Sequence, residues 1–220
     1  MSKPWAVYDF DGTVFPGQGH LELLIYLRKL GKVKLSAYFL IWMWFFLYWA
    51  GFVSNPTKVM GYAFSFLKGW NFKDFEKICE DVVRTRISPS AYNWILEDIK
   101  KRKENGQPVI LLTSLISPLA SAAGRMMGAS EVISTKLEID ESGRFTGRVR
   151  GEAMFGWNKL FALRDYARNA KLKIEDAVSY GDHLTDLPVM EVAGKAIAIN
   201  PSRGLLKEAR GRGWEVRILK

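Results

Sequence analysis

The sequence predicts an α/β fold, a Rossmann-like parallel sheet with helices on both faces, into which an all-helical cap is inserted. Strand-like and helix-like segments alternate through the second half of the chain, which is typical of a parallel sheet. A short buried strand, residues 5–9, lies far upstream, and no strand is evident between residues 16 and 107. We therefore expect residues 1–15 and 105–220 to form the α/β core and residues 16–104 to form the cap.

The first half of the chain predicts helices that are separated by turn signals. Apolar residues between Leu21 and Leu27 recur at helical spacing, and Gly31 follows as a stop signal. Pro56 suits the start of a helix because its missing N–H needs no partner there. The elements predicted in this half are the strand 5–9 and helices over 18–30, 57–68, 72–86 and 89–104.

The second half predicts further strands, a hairpin and the helices between them. VILLT (109–113) is apolar throughout, as expected for a strand that is buried on both faces of a sheet. LEIDESGRFTGRVRG (137–151) predicts a hairpin with its turn at Ser142-Gly143. The remaining predicted elements are strands over 131–134, 177–182, 196–200 and 214–219, and helices over 118–127, 157–169, 184–192 and 203–211.

Composition limits the chemistry that the chain can carry. Its 220 residues include one cysteine, Cys79, which excludes an internal disulfide and a cysteine-rich zinc site. Because there are only two histidines, we expect any metal to be a hard cation with oxygen ligands. The net charge of +9 indicates an anionic partner. We expect no nucleic acid, because no recognisable nucleic-acid-binding motif or continuous basic surface is evident.

A long hydrophobic aromatic segment, residues 35–53, lies within the predicted cap. Only Ser36 and Gly51 in its 19 residues fall outside the apolar set, so the segment is long enough to be a transmembrane candidate. Basic residues precede it directly, where anionic lipid headgroups could pair with them: Arg28, Lys29, Lys32 and Lys34. We expect contact with a membrane; the alternative is a helix buried in a helical subdomain or a dimer interface.

Polar residues stand where three of the predicted strands end: Asp9, Thr113 and Asp182. Ligands of open α/β sheets bind beyond the carboxyl ends of the strands, so these side chains can converge although they are distant in sequence. Clustered carboxylates repel one another unless a cation lies between them. Mg²⁺, held by carboxylates together with phosphate oxygens, fits such a cluster.

Four short motifs resemble those of the haloacid dehalogenase superfamily, in the same order and with similar spacing. They are DFDGT (9–13), the apolar strand that ends at Thr113, Lys159, and GDHLTDLPVM (181–190). The insertion after the first motif resembles the helical cap of that superfamily's first class. The C-terminal part is most similar to its phosphoserine-phosphatase-like branch, and a phosphatidylglycerophosphatase-like enzyme is one further expectation.

This resemblance implies roles for the acidic residues. Asp9 would be the nucleophile that forms an aspartyl-phosphate, and Asp11 would act first as general acid and then as general base. Mg²⁺ would be held by Asp9, by Asp182 and by Asp11 through its main-chain carbonyl. Asp186 would orient Lys159 or a metal-bound water.

The resemblance also implies how the phosphate and the rest of the substrate are bound. Thr113, Ser114 and Lys159 would bind the phosphoryl oxygens and offset the charge of the transition state. His20 lies near the cap hinge and is a candidate for substrate contact. Gln18 is a second candidate, at the position where phosphoserine phosphatases usually carry a glutamate for the substrate ammonium. A neutral amide cannot pair with an ammonium as a carboxylate does.

The expected function is that of a Mg²⁺-dependent phosphomonoesterase acting on a membrane lipid phosphate of the phosphatidylglycerophosphate or lysophosphatidate type. Asp9 precedes the aromatic segment and its partners follow it, so a single span would separate groups that must meet. The segment should therefore return as a re-entrant hairpin or lie in the interface, on the cytoplasmic side of the membrane. The alternative is a soluble phosphate such as phosphoserine, with the aromatic segment forming a homodimer interface.

Overall fold

A computed structural model describes residues 4–35, 38, 39, 41, 43 and 55–220. Most of the aromatic segment 35–53 lies outside these described residues, so the expectation that it forms a re-entrant or interfacial element is not addressed by them. Within the described part of the chain, no helix combines the length and the apolar character needed to cross a membrane.

One six-stranded sheet forms the centre of the fold, and all its strands are parallel. Its order is β3-β2-β1-β6-β7-β8, so β1 lies between β2 and β6. A separate antiparallel pair, β4 and β5, forms the predicted hairpin. The strands are β1 (Trp5–Tyr8), β2 (Val109–Ile116), β3 (Glu131–Thr135), β4 (Leu137–Ile139), β5 (Phe145–Val149), β6 (Ala177–Gly181), β7 (Lys195–Ile199) and β8 (Glu215–Arg217).

Both faces of this sheet are covered, because successive side chains of a strand point to opposite faces. Ala6 and Tyr8 pack into the larger hydrophobic core, whereas Trp5 and Val7 pack into a second core against the helix that follows β5. Because both faces of the sheet are buried, its strands are apolar throughout rather than alternately apolar and polar. The predicted α/β fold with helices on both faces is confirmed.

The helices agree with the sequence in number and order over the described residues, but several boundaries differ. The predicted helix 72–86 ends at Val82 and continues as a π-helical turn, Val83–Ile87. Pro89 then lies in a short 3₁₀ turn, and the predicted helix 89–104 begins only at Asn93. The α-helices with both ends among the described residues are α1 (Gly19–Lys29), α2 (Pro56–Phe64), α3 (Phe72–Val82), α4 (Asn93–Glu104), α5 (Ser117–Met127), α6 (Trp157–Asn169), α7 (Leu187–Val192) and α8 (Arg203–Gly211).

The β4–β5 hairpin is anchored to the helical region rather than to the main sheet. Phe145 N–H donates to the Trp70 carbonyl at 3.0 Å, and Gly69 N–H donates to the Phe145 carbonyl at 2.8 Å. The turn includes Gly143, at φ +76°, which places the predicted Ser142-Gly143 turn where the sequence indicated it. The hairpin thus ties the segment after α2 to the chain that leads into α6.

Candidate active site

The carboxyl ends of β1 and β6 bring Asp9 and Asp182 together. Asp9 N–H continues the β1–β6 ladder by donating to the Tyr180 carbonyl at 3.0 Å. The loop after β1 then folds onto Asp182: a Cβ added at Gly12 would lie 2.2 Å from Asp182 Oδ2. Gly12 also has φ +83°, so this position needs glycine both for its backbone conformation and for its close approach.

Lys159 reaches into this cluster from the first turn of α6. Its Nζ lies 2.6 Å from Asp9 Oδ1 and 2.6 Å from Asp186 Oδ1, and its side chain is only 4% exposed. Although burial alone would lower its pKa, the two carboxylates raise the pKa of Lys159 above its ordinary value. The ammonium therefore stays charged and fixes the orientation of both carboxylates.

Three carboxylates form a set that can hold a divalent cation. Asp9, Asp182 and Asp186 each offer one oxygen, and these atoms lie within 4.8 Å of one another. Burial raises the pKa of Asp9 well above its usual value; repulsion from the other two carboxylates adds to this, while Lys159 opposes it. Burial, together with repulsion from Asp186, raises the pKa of Asp182 to about 7. A hard cation would relieve this repulsion, so the donor set fits Mg²⁺.

Asp11 is not one of these three carboxylates; it lies in the loop after β1 and contacts the start of α1. Its Oδ1 accepts a 2.7 Å hydrogen bond from the N–H of Gly19, the first residue of the helix. Burial raises the pKa of Asp11 to about 6, although the Gly19 bond opposes this shift. A carboxyl group with such a pKa can both give and accept a proton near neutral pH.

The end of β2 differs from its prediction. The strand continues past Thr113 to Ile116, and its register with β3 shifts between Leu112 and Ile116. The cause is local, because Thr113 Oγ1 accepts from Leu115 N–H at 3.2 Å and interrupts the regular ladder. Thr113 is fully buried and Ser114 is half-buried, and both follow the part of β2 that pairs with β1.

The two candidate substrate residues lie at the start of α1. Gln18 is exposed and precedes the helix. His20 is buried; its Nε2 accepts from Ile116 N–H at 3.0 Å, and its ring centre lies 4.9 Å from that of Phe64 in α2. Burial lowers the pKa of His20 to about 3, so its ring stays neutral. His20 thus links α1, α2 and the end of β2.

Sequence reasoning missed a polar cluster on the α4 side of the same strands. Asp98 Oδ2 accepts from the hydroxyl groups of Tyr8 at 2.5 Å and Tyr180 at 2.8 Å, and from Arg102 Nε at 2.9 Å. The two tyrosine rings stack with centroids 4.3 Å apart. Tyr8 directly precedes Asp9, and Tyr180 lies two residues before Asp182. The cluster therefore holds in place the ends of β1 and β6 that carry these carboxylates. The helical spacing of Asp98 and Arg102 was the available signal.

Comparison with known proteins identifies the family of this chain. Residues 6–191 match the family model described as haloacid dehalogenase-like hydrolase. The chain belongs to this family. The predicted superfamily resemblance is therefore confirmed.

The relatives found include phosphatases. The chain is 26% identical over 218 residues to the "Inhibition of morphological differentiation protein" of Streptomyces azureus, covering 98% of this chain and 78% of that protein. It is 31% identical over 155 residues to "Phosphoserine phosphatase SerB1" of Mycobacterium tuberculosis, covering 70% of this chain. The match covers 50% of SerB1, so the chain spans about half the length of that relative.

Solved structures share the fold. A Bordetella pertussis Tohama I protein of unknown function has a TM-score of 0.89 at 24% identity, covering 98% of both chains. A structure titled "Phospho-Aspartyl Intermediate Analogue of Phosphoserine phosphatase" has a TM-score of 0.69 at 21% identity, covering 100% of this chain and 95% of that one. Family membership and the phosphatase relatives together support a phosphoric monoester hydrolase.

Proposed function

We propose that the chain is a Mg²⁺-dependent phosphomonoesterase that works through an aspartyl-phosphate on Asp9, and that its substrate is a small soluble phosphate monoester. The observation that carries this proposal is the buried contact of Lys159 Nζ with both Asp9 and Asp186, at 2.6 Å each, beside Asp182. The proposed nucleophile Asp9, the buried ammonium of Lys159 and the carboxylates that could hold a metal therefore lie together at the carboxyl edge of the sheet. We also propose residues 1–15 and 105–220 as core and residues 16–104 as cap.

The first step transfers the phosphoryl group to the protein. A carboxylate oxygen of Asp9 attacks phosphorus, and the bond between phosphorus and the ester oxygen breaks. Asp11 gives its proton to the departing alkoxide, which leaves as the alcohol. Lys159 offsets negative charge on the transferring group, together with Thr113 and Ser114 at the neighbouring strand end.

The second step releases phosphate. Asp11, now a carboxylate, takes a proton from water as that water attacks the phosphorus of the aspartyl-phosphate. The acyl-phosphate bond breaks and Asp9 returns to its carboxylate form. Asp9 and Asp182 would hold Mg²⁺, with Asp186 beside them and the main-chain carbonyl of Asp11 as a further ligand; the cation supplies charge stabilisation at the phosphoryl oxygens.

The soluble substrate is favoured over a lipid phosphate by the phosphoserine phosphatases among the relatives. Free phosphoserine itself is less well matched, because Gln18 is a neutral amide where an ammonium would call for a carboxylate. A lipid phosphate is the second candidate, favoured by exposed apolar side chains such as Phe39 near the cations that precede the aromatic segment.

A phosphate-release screen tests this proposal. Purified protein with Mg²⁺ would be offered soluble alkyl and aryl phosphates, phosphoserine, phosphatidylglycerophosphate and lysophosphatidate in mixed micelles. We expect turnover of soluble monoesters, abolished in Asp9→Asn and retained in the matched control Asp165→Asn, which changes an exposed carboxylate on α6. Phosphate release confined to the lipids would favour the second candidate. Activity retained in Asp9→Asn would contradict the assigned nucleophile.

A further inference from the structure

An apolar stripe lies on the surface of the cap close to the end of α1. We define it by four side chains with large exposed fractions: Leu30 at 46%, Leu35 at 47%, Phe39 at 63% and Met43 at 45%. Leu35, Phe39 and Met43 have helical backbone and are spaced four residues apart. Residues at that spacing lie on one face of a helix, so these side chains share one exposed face.

The opposite side of the same segment is buried, which leaves the stripe facing solvent. Val33 and Ile41 are only 4% and 3% exposed, and both belong to the main hydrophobic core, against which Tyr38 also packs. Since apolar residues point both into the core and into solvent, the exposed stripe is not explained by packing within the described part of the chain. Exposed apolar surface of this kind marks an interaction site.

The stretch of sequence that carries the stripe has charges of one sign. Residues 23–73 contain seven Lys or Arg residues and no Asp or Glu. Four of these cations directly adjoin the stripe and are exposed: Arg28, Lys29, Lys32 and Lys34. No salt bridge among the described residues involves them. The partner of this surface must therefore bring negative charge beside an apolar phase.

A second copy of the chain does not meet that requirement. A two-fold dimer through the stripe would pair the patch with itself and bring the same cations together, and residues 23–73 hold no acidic residue to separate them. An anionic bilayer supplies both complements, because acyl chains accept the apolar side chains while headgroups pair with Lys and Arg. We propose that the stripe and its four cations bind the surface of an anionic membrane. This inference is independent of the proposed catalytic function.

Sedimentation with vesicles tests the proposal. The full-length protein would be mixed with vesicles of phosphatidylcholine alone, or with about 30% phosphatidylglycerol as an anionic phosphodiester lipid. We expect strong binding only to the anionic vesicles, weakened by added salt. The double variant Lys29→Gln, Lys34→Gln should bind about 25-fold more weakly, since each cation near such a surface contributes about fivefold.

Matched variants separate this surface from general effects of charge and hydrophobicity. Lys100→Gln with Lys101→Gln makes the same change in net charge on α4, where both residues are exposed, and should leave binding nearly unchanged. Phe39→Ser should weaken binding at least tenfold, whereas Phe161→Ser, at a side chain 54% exposed on α6, should not. Light scattering would detect a second copy as the occupant.

Several results would overturn the proposal. They are the absence of binding to anionic vesicles, equal losses in the test and control variants, or a dimer that Phe39→Ser converts to monomer. Hydrolysis of a soluble aryl phosphate is measured in parallel and should be unchanged in Phe39→Ser. A loss of vesicle binding with normal turnover therefore reports on the surface alone, and a failure of the phosphatase assay leaves the vesicle result interpretable.

Discussion

Lys159→Met removes the positive charge that lies between two buried carboxylates. The side chains of Lys159, Asp9 and Asp186 are only 4%, 10% and 5% exposed, so solvent does not replace the lost partner. Breaking a buried ion pair by removing one member costs about 3–5 kcal/mol. We expect the free energy of unfolding to fall by that amount near neutral pH, with no loss of the hydrophobic volume of the lysine side chain.

The loss of stability in Lys159→Met should depend on pH. Burial already raises the pKa of Asp9, and Lys159 opposes that shift, so the pKa of Asp9 rises further in the variant. A carboxyl group whose pKa is higher in the folded state destabilises the fold at high pH and does so less as pH falls through the folded pKa. The stability deficit of Lys159→Met should therefore shrink as the pH falls through the folded-state pKa of Asp9.

Urea unfolding in EDTA, followed by circular dichroism and tryptophan fluorescence, measures this deficit. Lys101→Met, at an exposed position of α4, is the control and should change stability by less than about 0.5 kcal/mol. Adding Asp186→Asn to Lys159→Met should recover part of the loss by removing one unpaired charge. A deficit below about 1 kcal/mol, or one that is constant with pH, would show that Lys159 does not stabilise the ionised form of these buried carboxylates.

Three further predictions concern the reaction and the contact between α1 and β2. Asp11→Asn should slow hydrolysis of alkyl phosphates by about 10²–10⁴-fold and of aryl phosphates much less, measured as phosphate release; equal losses would argue against an acid role. EDTA should abolish turnover and Mg²⁺ should restore it better than Ca²⁺, whose longer, more numerous bonds suit the site less well; full activity in excess chelator would exclude the metal site. His20→Leu should lower stability by about 1–3 kcal/mol in urea unfolding, because Ile116 N–H loses its acceptor. His20→Gln keeps an acceptor and should lose less; equal losses would mean that packing alone matters.

The fold and the convergence of Asp9, Lys159 and Asp182 follow from information that is local in sequence. Strands that are apolar throughout and alternate with helices predict a parallel sheet, and the carboxyl ends of parallel strands share one edge. The spacing of the four motifs, which resembles that of the family, then indicates which polar residues at those strand ends belong to the site. Asp186 was expected to orient Lys159, and the two side chains are in direct contact. Its position among the three carboxylates that could hold a metal was not expected from the sequence.

Contacts between distant parts of the chain were not predictable in the same way. The bond between Ile116 and His20 spans 96 residues, and the bond between Tyr8 and Asp98 spans 90. Neither leaves a periodic pattern, because each hydrogen bond depends on how a helix packs against a strand rather than on the sequence of either element. The Gly19 bond to Asp11 is similar: it requires the start of α1 to lie over the loop after β1.

Asp9 should carry the phosphoryl group during turnover, and this aspartyl-phosphate can be trapped. Protein mixed with excess phosphate monoester and Mg²⁺ would be quenched in acid within the first turnovers, digested and examined by mass spectrometry. We expect a phosphate on the peptide that contains Asp9, released by hydroxylamine as an acyl phosphate should be, and absent from Asp9→Asn. Phosphate on a different residue, or normal turnover by Asp9→Asn, would exclude Asp9 as the nucleophile.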